Sequence, residues 1–234
     1  MIIMLNTDMS RFEQALISHL PRKEILGWIE KNATPYKELM AYYRCAIMEV
    51  ETKFNVLNEE LSIQYDRNPI ETIKSRLKSP EGIVEKLARK GYPLTVESIE
   101  NNITDIAGVR VICSFPSDIY GLADALLKQD DVWLIETKDY IKNPKENGYR
   151  SLHLIIETPI FLHDSKRMMK VEVQFRTISM DWWASTEHKI RYKKDLQNDS
   201  VINSELAECA RIAAELDLRM EQIQKRAEAQ YIEV

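Results

Sequence analysis

Apolar residues recur at steps of three and four from Tyr36 through Leu39, Tyr43, Ile47, Val50, Phe54, Leu57 and Leu61. That spacing predicts a long amphipathic helix. Pro21 and Pro35 are each well placed for a helix first turn, where a missing N–H costs nothing. A second stripe, Leu206, Cys209, Ala213, Leu216, Met220, Ile223 and Ala227, forms a heptad seam near the C-terminus. Each stripe either packs on the body of its own chain or makes a subunit interface, and the pattern fits both.

Between the stripes the period changes. "IETIKSRLK" (70–78) reads as an edge strand, and "SPEGIVEKLARKG" (79–91) as a helix with Ser79 as cap, Pro80 in the first turn and Gly91 at the end. "DIAGVRVICSF" (105–115) is a buried strand, and "SDIYGLADALLKQ" (117–129) a helix. Strands follow at 132–140, 151–158 and 170–177, then a helix over 179–193. Several strands join with no helix between them, so the sheet is mixed or antiparallel rather than doubly wound.

The 234 residues carry a net charge of −5, so bulk electrostatics do not point to a nucleic-acid coat. Residues 195–234 hold nine acids and four bases, whereas residues 74–90 hold six bases and two acids. A local basic patch on an acidic chain suits a small polyanion better than a long duplex. Cys45, Cys113 and Cys209 are odd in number and widely spaced, which gives neither a disulfide framework nor a zinc spacing and fits a reducing cytoplasm. The N-terminal "MIIML" is too short for a signal sequence, and no apolar run approaches membrane length.

Two strands and one loop carry the candidate chemistry. In "VEVQFRT" (171–177), Glu172, Gln174 and Arg176 alternate with Val171, Val173 and Phe175. The polar set is either an ordinary solvated face or a cleft lining on which Glu172 holds Mg²⁺ or accepts a proton. Asp105 opens the apolar strand, as a turn residue or as a Mg²⁺ ligand, and Gly108 could mark a bulge that re-aims Asp105 or Arg110. Arg76, Lys78 and Arg89 form either a solvated charge run or a clamp for bases and phosphates. The loop "NPKENGYRSLH" (143–153) surrounds Tyr149 with Lys142, Lys145, Arg150 and His153, and a tight Asn147-Gly148 turn would hold the ring out as a stacking platform. In "DWWASTEHKIRYK" the tryptophans read as core, and "TEH" lacks the second histidine of a zinc motif. No Walker A, dinucleotide fingerprint or nucleophile elbow occurs.

In this order "DIAGVRV", "KDYI", "PKENGYRSLH", "VEVQFRT" and "MDWWASTEHKIRYK" resemble the synthetase domain of the RelA/SpoT family, over about half of the chain. The resemblance is to a small alarmone synthetase without a hydrolase activity. It implies an α/β (α+β) fold with a mixed, largely antiparallel sheet of nucleotidyltransferase-like type, flanked by helices and by long terminal helices. It also implies pyrophosphate transfer from ATP to the 3′-hydroxyl of GDP or GTP.

Carried over by position, Arg76 and Arg110 would sandwich the adenine, with Lys78, Lys86 and Arg89 along the ATP phosphates. Asp105 and Glu172 would bind Mg²⁺, with Glu172 also activating the 3′-hydroxyl. Tyr149 would stack on guanine, and Lys138, Lys145, Arg150, His153, Gln174 and Asp181 would serve the acceptor site. The expected organisation is a helical region over 1–66, the synthetase domain over 67–195 and a C-terminal helix over 196–234. A cytoplasmic homotetramer through the terminal helices is implied, with no membrane and no stable nucleic-acid partner. Glu136-Thr137-Lys138-Asp139 blends the R-x-K-D and E-x-D-D motifs of long members. Near Asn55 and Thr72 the basic and aromatic residues of an allosteric alarmone cleft are missing. Other readings of the same motifs are a pyrophosphotransferase acting on an adenosine nucleotide or tRNA, and a non-catalytic nucleotide or RNA sensor.

Overall fold

The structure, a computed structural model, describes residues 11, 14, 15, 22–65, 67–191 and 200–232. Pro21 and the Tyr192-Lys193 end of the last motif lie outside them. Helix α1 runs over Arg22–Tyr65, followed by strand β1 (Ile70–Leu77), helix α2 (Pro80–Lys90) and helix α3 (Val96–Asn102). Strand β2 (Ala107–Cys113), helix α4 (Pro116–Leu127) and strand β3 (Trp133–Asp139) come next. Strands β4 (Leu152–Phe161) and β5 (Lys166–Thr177) lead into helices α5 (Ile178–Arg191) and α6 (Ser200–Ile232).

The five strands pair in the order β1-β2-β5-β4-β3, a mixed sheet with β1 and β3 at its edges. The N–H of Lys78 donates to Ile106 O at 2.8 Å and that of Ser114 to Pro69 O at 3.3 Å, so β1 and β2 run antiparallel. Tyr140 N–H to Ser151 O at 2.9 Å closes the β3–β4 hairpin, and residues 162–165 join β4 to β5. By its contacts the chain divides into two compact units: 1–50, 75–109 and 155–172 in the first, and 51–74, 110–154 and 173–234 in the second. Every strand except β3 has residues in both.

Local chemistry explains most element ends. Ser79 Oγ accepts the N–H of Gly82 at 3.2 Å, and Gly91 closes α2 with φ 68°. That left-handed conformation costs a side-chain-bearing residue about 1–2 kcal/mol. Ile83, Val84 and Leu87 bury the apolar face of α2, each contributing roughly 1.5–3 kcal/mol. Helix α3, unforeseen in the sequence, starts where Thr95 Oγ1 accepts the N–H of Ser98 at 3.0 Å.

Three expectations change. Pro35 lies inside α1 rather than at a first turn. An interior proline costs about 3 kcal/mol, offset by the buried Tyr36, Leu39, Met40 and Tyr43 that follow it. Gly108 makes no bulge: β2 is continuous through it, and a Cβ there would sit 3.6 Å from Arg76 Cγ, an ordinary contact. Asp105 precedes the strand, so strand parity does not govern it. Finally, the C-terminal seam splits. Leu206, Ala210 and Ala213 are buried with Asp217 and Glu221, whereas Leu216, Met220 and Ile223 are exposed together with Ile212.

Candidate functional site

In the first unit the basic residues gather around Asp105. Lys78 directly follows β1, Lys86 projects from α2, and Asp105 lies in the α3–β2 connection. Lys78 Nζ stands 3.1 Å from Asp105 Oδ2 and Lys86 Nζ 2.8 Å from Oδ1, with all three side chains about five-sixths buried. Burial acts to raise the Asp105 pKa, but Lys86 and Lys78 outweigh it and hold the carboxyl below its usual range. Arg76 and Arg89 are exposed on β1 and α2. Glu172 is partly buried on β5 between the buried Val171 and Val173, so the alternation read from the sequence holds.

The second unit centres on Asp181, in the first turn of α5 and 7% exposed. Three cations converge on it: Lys74 Nζ at 2.8 Å, Arg110 Nη1 at 3.1 Å and Arg176 Nη1 at 3.0 Å. Burial again acts to raise this carboxyl, and Lys74, Arg110 and Arg176 hold it below its usual range. Gln174 Oε1 accepts from Arg110 at 3.3 and 3.4 Å and from Arg176 at 3.4 Å. Arg110, read as a donor-side residue, is therefore held with Gln174 and Asp181, two residues read as serving the acceptor.

The loop before β4 joins this network. Gly148 takes φ 87°, its N–H donates to Lys145 O at 2.8 Å, and Asn147 Oδ1 accepts the N–H of Tyr149 at 3.2 Å. The Tyr149 hydroxyl accepts from Arg176 Nη2 at 2.9 Å and lies 2.8 Å from His153 Nε2. Tyr140 meets both rings edge-on, at 5.9 and 5.4 Å, and Lys145 Nζ sits 4.7 and 5.1 Å from the Tyr140 and Tyr149 centroids. Tyr149 is thus not held out on a turn. It is half-buried and packs against the Trp183, Leu206 and Ala210 cluster. Trp183 is core as expected, while Trp182 is exposed.

Two proposed acceptor residues turn elsewhere. Arg150 Nη2 donates to Ile141 O at 2.7 Å, bracing the loop. Lys138 pairs with Glu136 at 2.9 Å on the exposed strand β3. Asp139 caps the turn after β3, accepting the N–H groups of Ile141 and Lys142 at 3.0 Å. Asn55 and Thr72 line a polar cavity of about 400 Å³ with Glu51, Asn58 and Glu71, a lining unsuited to a polyanion.

Arg176 and Lys74 are the network members that the sequence did not single out. Arg176 has the parity of the polar face, yet only 5% of it is exposed. The one available signal was its place two residues after Gln174. Among the described residues no group of three or more metal-ligating side chains converges. The donor set nonetheless fits Mg²⁺, which takes one or two hard carboxylates and completes its shell with phosphate and water. Asp105, kept ionised, has the chemistry of such a ligand, and Glu172 is a second carboxylate in the same unit.

The region found in RelA / SpoT proteins matches residues 75–197. GTP pyrophosphokinase YwaC of Bacillus subtilis (strain 168) is 46% identical over 193 residues, 82% of this chain and 92% of that protein. The crystal structure of small alarmone synthetase 2 from Bacillus subtilis superposes with a TM-score of 0.74 at 46% identity, covering 82% of this chain and 98% of that one. Small alarmone synthetase 1 from the same organism, bound to its product pppGpp, gives 0.75 at 32% identity over 82% of this chain and 97% of that one.

Proposed function

The chain belongs to the RelA/SpoT family, and on that footing we propose that it is a (p)ppGpp synthetase, a GTP/GDP diphosphokinase. The 3′-oxygen of GDP or GTP attacks the β-phosphorus of ATP, the bond from that phosphorus to the α,β-bridging oxygen breaks, the β,γ-pyrophosphoryl group passes to the 3′-oxygen, and AMP leaves with the bridging oxygen. The 3′-hydroxyl proton passes to Glu172. The observation that carries this reading is the Tyr149 ring, tied to His153 and Arg176 beside three cations around Asp181. It supplies a stacking face and positive charge together, which an acceptor nucleotide needs.

Lys78 and Lys86 take the donor phosphates, and Arg76 and Arg89 flank them. Lys145, His153, Gln174 and Asp181 serve the acceptor, with Arg110 shared between its network and the adenine. Phosphoryl-type transfer depends on positioning and charge neutralisation, which this inventory provides. Mg²⁺, held by Asp105 and Glu172, would lessen the repulsion between two polyanions.

The exposed apolar stripe of α6 supports assembly through the terminal regions 1–66 and 196–234 as a homotetramer around the 67–195 synthetase domain. Three free cysteines support a reducing, cytoplasmic location, and among the described residues no helix is long and apolar enough to cross a membrane. The net charge of −5 speaks against a stable nucleic-acid partner.

The test is incubation of the purified protein with Mg²⁺, γ-labelled ATP and GDP or GTP, followed by separation of the nucleotides. Labelled ppGpp or pppGpp with matching AMP is expected from the wild type and not from Glu172→Gln. Label that stays in ATP, or moves only to adenosine or tRNA acceptors, overturns the assignment.

A further inference from the structure

Asp217 is a buried acid that the chemistry above does not use. It lies on the inward face of α6, 8% exposed. Its Oδ2 accepts from Thr177 Oγ1 and from Ser179 Oγ, both at 2.6 Å. Thr177 Oγ1 in turn accepts the N–H of Met180 at 3.2 Å. One carboxylate oxygen therefore gathers both hydroxyls of the corner at which β5 becomes α5. Burial pushes the Asp217 carboxyl up, with Glu221 one turn on acting the same way, against the two hydroxyls and Arg150. An apolar residue would attach a helix at less cost than a buried carboxylate.

The corner matters for what it carries. Arg176 directly precedes Thr177, and Asp181 follows Ser179 by two residues. Across the corner Arg176 and Asp181 pair at 3.0 Å, and Arg176 continues to the Tyr149 hydroxyl. Helix α6 meets α5 three turns, and the acceptor loop two turns, before Asp217. Trp183 Nε1 donates to Leu206 O at 2.9 Å, and a Cβ on Gly148 would lie 2.5 Å from Ala210 Cβ.

We propose that Asp217 is a positioning residue for the acceptor nucleotide: by holding Thr177 and Ser179 it fixes the backbone that aims Arg176 and Asp181, and through Arg176 the Tyr149 ring. This rests on the acceptor assignment proposed above. The C-terminal helix is then part of the acceptor site, although none of its residues need touch the ligand.

The test compares KM for GDP with KM for ATP, and the calorimetric Kd for GDP, in the full chain carrying Asp217→Ala, Asp217→Asn, Ser179→Ala or Glu221→Gln. Asp217→Ala raises KM and Kd for GDP about tenfold, below the roughly 100-fold that a misplacement of about 1 Å in a positioned group can cost. KM for ATP stays within about twofold. Asp217→Asn, whose amide oxygen accepts from both hydroxyls, restores the wild-type values. Glu221 lies on the same face, but its carboxylate accepts the N–H of Ser117 at 3.1 Å in α4. Glu221→Gln keeps an oxygen that accepts that N–H and therefore leaves KM for GDP unmoved. If Asp217→Ala does not fold, Ser179→Ala reads the same selective shift in GDP affinity. An Asp217→Ala effect equal on both substrates, or absent, overturns the proposal, and so does failure of Asp217→Asn to rescue. A wild type that forms no alarmone overturns instead the function on which the proposal rests.

Discussion

Arg176 and Tyr149 are joined twice: the guanidinium donates to the phenol oxygen at 2.9 Å, and its carbon lies 5.2 Å from the ring centroid. The orientation of the proposed guanine platform is thus set by a cation that is itself 5% exposed and paired with Asp181. Arg176→Ala removes both links and one of the three cations on Asp181. Acceptor kcat/KM is expected to fall about 100-fold, since uncovering a buried charge is worth several kcal/mol. Arg176→Lys keeps the charge but not the fork that bridges Asp181 and Tyr149, so it should resemble Ala. Tyr149→Phe keeps the stacking face and should lose only about threefold to tenfold, the worth of one hydrogen bond. Steady-state kinetics with varied GDP separates the three.

Gly148 is required twice over. A side chain there faces a φ of 87° and meets Ala210 Cβ at 2.5 Å and Ala207 Cα at 3.3 Å. Backbone strain of about 1–2 kcal/mol and overpacking of about 1–3 kcal/mol should together destabilise Gly148→Ala. Ala210→Gly in the same chain should recover only part of the overpacking share, because the φ and the Ala207 contact remain. Urea denaturation of the single and double variants measures this, and an undiminished stability of Gly148→Ala would contradict the packing of α6 on the loop.

The Asp105 pair sets a pH dependence. Its folded pKa is depressed, so between that value and the unfolded value of about 3.9 the folded state binds fewer protons. The pair therefore contributes stability above about pH 4, and that contribution is lost as pH falls through the folded pKa. Asp105→Asn should be less stable than wild type by about 1 kcal/mol at pH 7, the modest end because the groups keep some solvent contact. The gap should close as pH falls through the folded pKa. Denaturation at pH 7 and in acid checks the sign.

Ile212, Leu216, Met220 and Ile223 are each about half exposed along α6. If they close a subunit interface, Leu216→Glu with Ile223→Glu lowers the mass seen by light scattering and leaves the secondary structure unchanged. A wild type that is already monomeric removes the tetramer from the proposal.

Residues whose local chemistry decides their conformation were legible in the chain. Ser79 and Gly91 bracket α2 as written, and the apolar run of β2 is buried around the half-buried Arg110. The alternation at Glu172 and Gln174 also survives folding. What was not legible depends on partners far along the chain. Arg176 shares their parity but is covered by Tyr149 and Asp181. Asp217 and Glu221 occupy the buried face of α6 with Leu206 and Ala213, so the single hydrophobic seam read from the sequence divides between a buried and an exposed face. Tyr149 was expected to stand clear of a turn that α6 in fact covers. Pro35 was read by its local preference, which the packing of the following turns overrides.

Lys78 and Lys86 close on Asp105 in the way a fixed ionic group holds its counter-ion in an exchange resin. On the proposed donor assignment, an arriving polyphosphate displaces a resident carboxylate rather than neutralising bare ammonium groups. The two lysine stems are already ordered, so binding is spared much of a side-chain entropy loss of up to about 2 kcal/mol apiece. The released carboxylate is then available to a divalent cation that accompanies the polyphosphate. Because the competing anion is tethered, its effective concentration does not change with the buffer. Added salt should therefore weaken nucleotide capture mainly by screening the nucleotide, since the lysines are never left without a partner.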